Sequence, residues 1–277
     1  MAKHINKTKI AILLATYNGE RFMRAQMDSV LKQTNADWTM YIHDDGSTDG
    51  TLGIISEYVD AAPSRFVLID DGKTHLGPRD NFMHLLSCVD SSIYMFCDQD
   101  DIWFPNKIDE SLRVLENVTE AAVKPVLVYT NMKVCDADDR VVEESFWTSI
   151  NHNPNEQNTL NAMSYSNYIT GCTMLFNNAA KEVAFPMPSW APMHDWWVSA
   201  MVYKNAGIVK PVASPTMLYR KHGGNATGDL VVTQAGKSII RRLREMYDQY
   251  TQMCRVGAVN NIFSYLKYKK SRRQNNR

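Results

Sequence analysis

Asp98 and Asp100 flank Gln99 at the end of the apolar run Ile93 to Cys97, so along an extended chain both carboxylates point to the same side. Like charges that close raise each other's pKa unless a cation joins them. Hard oxygen ligands with no accompanying cysteine suit Mg²⁺ or Mn²⁺ rather than zinc. Two earlier apolar runs, Ile10 to Ala15 and Trp38 to Ile42, also lead straight into polar clusters. These are Thr16-Tyr17-Asn18-Gly19-Glu20 and His43-Asp44-Asp45-Gly46-Ser47-Thr48-Asp49. Three strands that each empty into such a cluster, several of them acidic, describe a nucleotide and metal site at one edge of a sheet. Asp101, next in the row, is expected to cap the following helix rather than join the metal.

The runs are short, apolar and rich in β-branched or aromatic residues, as buried strands are. Helical spacing follows each of them: Phe22, Met23, Met27, Val30 and Leu31 within 20–33, then Leu52, Ile55 and Val59 ahead of Pro63. A further strand, Phe66 to Ile69, precedes a helix carrying Phe82, Leu85 and Leu86. Alternating β and α elements with short turns predict a parallel-dominated sheet covered on both faces, with ligands outside the carboxyl ends of its strands. The second half reads as strands, Pro125 to Tyr129 and Thr170 to Phe176, separated by long polar loops such as Asn151 to Asn161. Long loops beside a site usually serve substrates.

The chain has 277 residues, 44% hydrophobic and 22% charged, enough for one substantial α/β domain and an appendage. No apolar stretch approaches the ~20 residues that span a bilayer, and Met1-Ala2-Lys3-His4 opens no apolar signal region, so a cytoplasmic protein is expected. Five scattered cysteines, none in a Cys-x-x-Cys pair, read as small buried hydrophobes. Formal neutrality hides an asymmetry: 11 Lys and Arg against 2 acids after Gly236, and 19 against 28 before it. Within that tail Ile239, Ile240, Leu243, Met246, Tyr247, Tyr250 and Met253 recur at helical spacing, with Arg241, Arg242 and Arg244 on the other face. A basic amphipathic segment of this kind can lie on an anionic membrane; the plainer reading is a helix packed on the domain. The expected division is therefore a domain over 1–236, with a nucleotide half at about 9–105 and an acceptor half at about 106–236, and a helical tail over 237–277.

Four motifs in order, Thr16 to Glu20, Asp44 to Thr51, Asp98 to Asp101 with Pro105, and His194-Asp195-Trp196-Trp197, resemble those of an inverting family-2 glycosyltransferase. The resemblance spans about residues 9 to 225. His-Asp-Trp-Trp and the segment Tyr219 to Asn225 are most similar to bacterial rhamnosyltransferase-like members. It implies the GT-A fold, α/β with a mixed, mostly parallel central sheet and a C-terminal helical tail. It also implies transfer of a sugar, L-rhamnose at its finest, from a nucleoside-diphosphate donor (dTDP-rhamnose or a UDP-hexose) to a glycan or lipid-linked acceptor in surface polysaccharide synthesis. No nucleic-acid partner is expected.

By the same resemblance Asp45 holds the base, whose imide N–H a carboxylate can accept, with Thr16, Tyr17 and Glu20 around base and ribose; Asn18, Asp44 and Arg79, whose fork suits phosphate or a base edge, are further donor-side candidates. Asp100 ligates Mn²⁺ or Mg²⁺, Asp98 faces ribose or metal, and His222 offers a third ligand from a late loop that Gly223 and Gly224 allow to close. Asp195 is the catalytic base, in a pocket made apolar by Trp196 and Trp197, with Gly171 on the acceptor side. Two alternatives remain, a sugar nucleotidylyltransferase and a non-catalytic carbohydrate-binding module. The first lacks a basic glycine-rich loop near the N-terminus; the second leaves the acidic sheet edge unexplained.

Overall fold

The computed structural model describes residues 10–223 and 239–275; Gly224 and Asn225 of the late loop lie outside the described residues. The first three βα units follow the apolar periodicity: β1 (Ile10–Thr16), α1 (Glu20–Leu31), β2 (Trp38–Asp44), α2 (Thr51–Ala61), β3 (Phe66–Leu68) and α3 (Gly77–Cys88). Then come β4 (Ile93–Cys97), the two-residue β5 (Ile102–Trp103) and α4 (Lys107–Glu116). β3, β2, β1 and β4 lie side by side and all pair in parallel, so their carboxyl ends share one edge. Every residue of β4 and nearly all of β1 and β2 are buried, as expected of strands with helices on both faces.

The α1 face differs from the apolar count. Its buried residues are Met23, Gln26, Met27, Ser29 and Val30, while Leu31 is exposed. Ser29 is accepted into the interior because its Oγ donates to the Gln26 carbonyl and accepts from the Trp103 amide at 3.0 Å. Asp101 caps no helix. Fully buried, it accepts the Arg220 amide at 3.3 Å, and Asn106 stands at the N-cap of α4.

The sheet continues through β6 (Val126–Cys135), β7 (Val141–Glu143), β8 (Met174–Asn177) and β9 (Ile208–Arg220), in the order β3-β2-β1-β4-β8-β6-β9-β5, with β7 hairpinned on β6. β8 is antiparallel to both neighbours, so the sheet is mixed. β9 is a long partner of β6 that apolar periodicity does not announce, since Pro211 and Pro215 interrupt it. The prolines are tolerated because β5 reaches only Met217 and Leu218 on the other side, and the β6–β9 register shifts at Asn131 and Pro215.

Between β7 and β8 the expected long loop around Asn151 to Asn161 is capped into short helices, α5 (Phe146–Ser149), α6 (Pro154–Gln157) and α7 (Leu160–Tyr165), and α8 (Asn178–Val183) and α9 (His194–Lys204) follow β8. Asn153 and Thr159 cap α6 and α7 by accepting amide N–H groups. The expected strand start at Thr170 is instead a single 3₁₀ turn over Gly171–Thr173. A Cβ on Gly171 would meet the His194 ring at 2.7 Å, so the turn needs glycine for close approach.

The tail is α10 (Ile239–Arg255) and α11 (Ile262–Asn275). Met253, Val256 and Tyr265 are buried, Gln249 Nε2 donates to the Tyr165 carbonyl at 2.6 Å, and the Tyr265 hydroxyl donates to Gln249 Oε1 at 2.7 Å. The helices are therefore packed on α7, while Leu243, Tyr247, Phe263 and Leu266 stay exposed. Among the described residues no helix is long and apolar enough to cross a membrane. Cys97, Cys135 and Cys172 are buried as expected; Cys88 is exposed and Cys254 half-buried.

Candidate active site

A cavity of about 680 Å³ opens at the carboxyl ends of β1, β2 and β4, and the 3₁₀ turn and the start of α9 close its other side. It brings together Thr16, Tyr17, Asp45, Asp98, Asp100, Gly171 and Asp195, which stand as far apart in sequence as 16 and 195. Tyr17 keeps half its surface open to solvent, a ring free to stack on a planar ligand. Asp45 is buried, accepting the amides of Leu76 and Gly77 at 2.7 and 2.8 Å. It thus fixes the turn that carries His75 and Gly77 onto the same wall.

The acidic edge is electrostatically tense. Burial and the neighbouring charges of Asp100 and Asp195 push the Asp98 carboxyl up, and burial with the Asp100 and Asp98 charges pushes Asp101 up. Asp101 Oδ2 has no hydrogen-bond partner. Two buried cations stand behind this edge: Arg220, whose guanidinium donates to the Asp100 carbonyl, and Lys107, lowered to about 8 by burial and bonded to Thr216 Oγ1 at 3.3 Å. Asp100 Oδ2 lies 2.8 Å from His222 Nε2, and Phe22 of α1 packs against both His222 and the Arg220 guanidinium.

A divalent cation fits this donor set, because the Asp98 and Asp100 carboxylates face the cavity and the His222 imidazole stands against Asp100. Asp98, Asp101 and Cys172 offer ligating atoms within 4.8 Å of one another. Burial holds the Cys172 thiol protonated, with the Asp101 and Asp98 charges adding to the effect, so sulfur is the poorer ligand there. Asp98, Asp100 and Cys172 line the cavity whereas Asp101 does not, so the oxygen donors open to a ligand are Asp98 and Asp100.

Across the cavity, Asp195 in the first turn of α9 is held by three N–H donors. Asn167 Nδ2 and its neighbour's amide, Trp196 N, reach Oδ1 at 3.1 and 2.6 Å, and Gly171 N reaches Oδ2 at 3.1 Å. Burial outweighs these bonds and raises its pKa to about 6. His194 beside it is buried, stacked on Phe82 with centroids 4.2 Å apart, and neither ring nitrogen has a partner. Burial lowers its pKa to about 3, so the ring is neutral.

Several expected residues stand apart from the cavity wall. Asp44 turns the other way and accepts from Thr16 Oγ1, the Gly46 and Ser47 amides and Ser47 Oγ, so it organises a turn. Asn18 and Glu20 stitch the loop after β1 to the loop after β2: Asn18 Oδ1 accepts the Thr48 amide at 2.8 Å and Glu20 Oε2 the Gly50 amide at 2.9 Å. Arg79 grips Asp80 and the carbonyls of Ser189 and Ala191. Trp196 and Trp197 are both core, their indole N–H groups donating to the Ser164 and Ala184 carbonyls at 3.4 and 2.6 Å. His222 is absent from the cavity lining and reaches it only through Asp100.

Residues that spacing passed over are prominent. Gln99 accepts the Tyr17 amide and donates to the Tyr17 carbonyl, both at 2.9 Å, clamping the loops after β1 and β4. Its position between the two acids was its signal. Asn167, Asn81, Cys172 and His194 also line the cavity, and of these only His194 lay in a recognisable motif.

The sequence profile of glycosyl transferase family 2 matches residues 11–183. The dTDP-rhamnosyl transferase RfbG of Shigella flexneri is 27% identical over 226 residues, covering 78% of this chain and 73% of that protein. WfgD of Escherichia coli, a UDP-Glc:alpha-D-GlcNAc-diphosphoundecaprenol beta-1,3-glucosyltransferase, is 32% identical over 108 residues, 38% of this chain and 40% of that one. S. aureus TarS 1-349 in complex with UDP-GlcNAc superposes with a TM-score of 0.62 at 18% identity, over 89% of this chain and 66% of that chain. The mannosyltransferase PcManGT from Pyrobaculum calidifontis, in complex with GDP-Man and Mn²⁺, gives 0.54 at 16% identity, over 90% and 65%. These likenesses show the fold to be α/β of the GT-A type.

Proposed function

The chain belongs to glycosyl transferase family 2, and on that premise we propose that it transfers L-rhamnose with inversion. The donor is dTDP-rhamnose, and the acceptor is a glycan or lipid-linked oligosaccharide of a bacterial surface polysaccharide. Membership of the family disfavours the nucleotidylyltransferase and binding-module alternatives. The observation that carries the reading is one cavity with an acidic, cation-seeking wall at Asp98 and Asp100 and a separate, immobilised carboxylate at Asp195. The sugar is supported by RfbG alone among the relatives described, and the rest of the reading does not depend on it.

Inversion in one displacement needs an acceptor hydroxyl that loses its proton as it attacks the anomeric carbon. Asp195 is suited to take it, because a carboxyl raised to about 6 is more basic than a solvated one and still ionised at neutral pH. Its three N–H donors leave it one orientation: Oδ1 accepts two of them, and Oδ2, which accepts only the Gly171 amide, retains a lone pair for the proton. The nucleoside lies toward Tyr17 and Asp45, so the diphosphate falls beside Asp98 and Asp100. Mn²⁺ or Mg²⁺ held by Asp100 and Asp98, with His222 behind, would supply Lewis-acid neutralisation of the leaving diphosphate.

A panel of donors tests this. Incubation with Mn²⁺ and each of dTDP-rhamnose, UDP-glucose, UDP-GlcNAc and GDP-mannose is expected to release the nucleoside diphosphate fastest from the rhamnose donor. Robust transfer from a UDP-hexose with none from dTDP-rhamnose refutes the sugar while leaving the class of reaction intact.

A further inference from the structure

Behind the Asp45 wall, three ligating groups from three segments converge: His43 of β2, Asp71 after β3 and His84 of α3. His84 Nε2 is 2.8 Å from Asp71 Oδ2 and His43 Nε2 is 3.5 Å from Asp71 Oδ1. All three ligating atoms lie within 4.8 Å of one another. The two imidazoles meet edge to face with centroids 4.8 Å apart.

The hydrogen bonds fix the tautomer of His43. Asn81 Nδ2 donates to the His43 carbonyl at 3.3 Å, which leaves Asn81 Oδ1 as the acceptor facing His43 Nδ1 at 2.7 Å. Nδ1 therefore carries the hydrogen, which leaves Nε2 as the nitrogen whose lone pair can ligate a metal. That lone pair belongs to a side chain only 2% exposed and is aimed at a carboxylate, a second acceptor. A buried imidazole nitrogen facing a partly exposed carboxylate is bridged by a proton or by a metal ion, and the second imidazole, His84, on the same carboxylate completes a donor set that a metal can take. An Nδ1–H held by an amide oxygen is also how a metal-ligating imidazole is usually oriented.

We infer that His43, Asp71 and His84 form a binding site for a divalent transition metal of the zinc class, distinct from the Asp98–Asp100 edge. Two imidazoles and one carboxylate are the donors that zinc and cobalt favour, whereas magnesium and calcium favour all-oxygen cages. Ligand atoms about 3.3 Å apart would satisfy a tetrahedral ion at about 2.0 Å, so the groups need shift only by about an ångström. Lys73 Nζ, 3.4 Å from His84 Nδ1 on a side chain 56% exposed, is free to swing into solvent. The fourth position falls to water or to Cys88, whose Sγ is 3.6 Å from His84 Nε2.

Occupancy would tie together the three segments that bear Asp45, His75, Gly77 and Asn81, all on the cavity wall. The ion would brace the nucleotide side of the cavity without touching the donor. This inference does not depend on which sugar is transferred.

The test is Co²⁺ titration of the full-length, chelator-stripped protein, read by visible absorption. Tetrahedral Co²⁺ absorbs strongly, whereas an octahedral oxygen site absorbs weakly. One equivalent is expected to develop the strong band in wild type and in Asp100→Asn, and Zn²⁺ to bleach it. Asp71→Asn, nearly isosteric, and His84→Gln should lose the band and weaken Zn²⁺ binding at least about tenfold, with circular dichroism confirming the fold. No strong band in wild type overturns the site, as does a band that survives both substitutions or disappears in Asp100→Asn.

Discussion

In the proposed reaction, two carboxylates with different surroundings divide the work at the residue scale. Asp195 is raised to about 6 chiefly by burial, so in the free enzyme it binds a proton below that pH and releases it above. As a base it acts only when ionised, and kcat/KM should therefore climb as pH rises through about 6 and level off above. A profile flat between about pH 5 and 7.5 would remove Asp195 from the rate equation. Asp100 is tested through its cation. Asp100→Ala keeps the backbone carbonyl to which Arg220 donates, so the fold should survive. Calorimetry with a nucleoside diphosphate should then show the same weak affinity with and without Mn²⁺. A Mn²⁺ enhancement as large as in wild type would place the metal elsewhere.

At the scale of elements, the strand ends were legible because each is a buried apolar run stopped by polar residues, and parallel pairing brings such ends to one edge. Which acid on a strand end faces the cavity was not. Asp44 and Asp45 are neighbours, and alternation sends one to the wall and the other into a turn, a difference the sequence does not display. β9 was hidden by two prolines whose missing N–H groups only the neighbouring strand could excuse. Arg79 and the two tryptophans have types that suit a ligand, yet tertiary carbonyls claim all three. Gln99 joins the loops after β1 and β4 by two hydrogen bonds worth together about 1–3 kcal/mol. Gln99→Ala should accordingly raise the donor KM several-fold while leaving kcat within about a factor of two, as lost ground-state positioning does. An unchanged KM would show that the clamp is dispensable.

For the whole molecule, the charge asymmetry places about nine net positive charges on a tail whose helices pack on the domain yet expose Phe263, 79% accessible, and Leu266. We propose that this face rests on the anionic inner leaflet, where lipid-linked acceptors are elongated; each cation near such a surface is worth ~1 kcal/mol and weakens with salt. Because Met253 and Tyr265 are buried, truncation would disturb the core, and exposed-face substitutions are the sounder probe. Lys267→Glu with Lys270→Glu and Phe263→Ser should abolish sedimentation with anionic vesicles at unchanged melting temperature; equal sedimentation would leave the tail a packing element. The central claim, donor held at the acidic edge and proton taken across the cavity, is tested most directly by Asp195→Asn. Donor affinity in the presence of Mn²⁺ should stay within about twofold of wild type while kcat falls about 10²–10⁴-fold. Turnover above roughly a tenth of wild type, with donor binding intact, would contradict it.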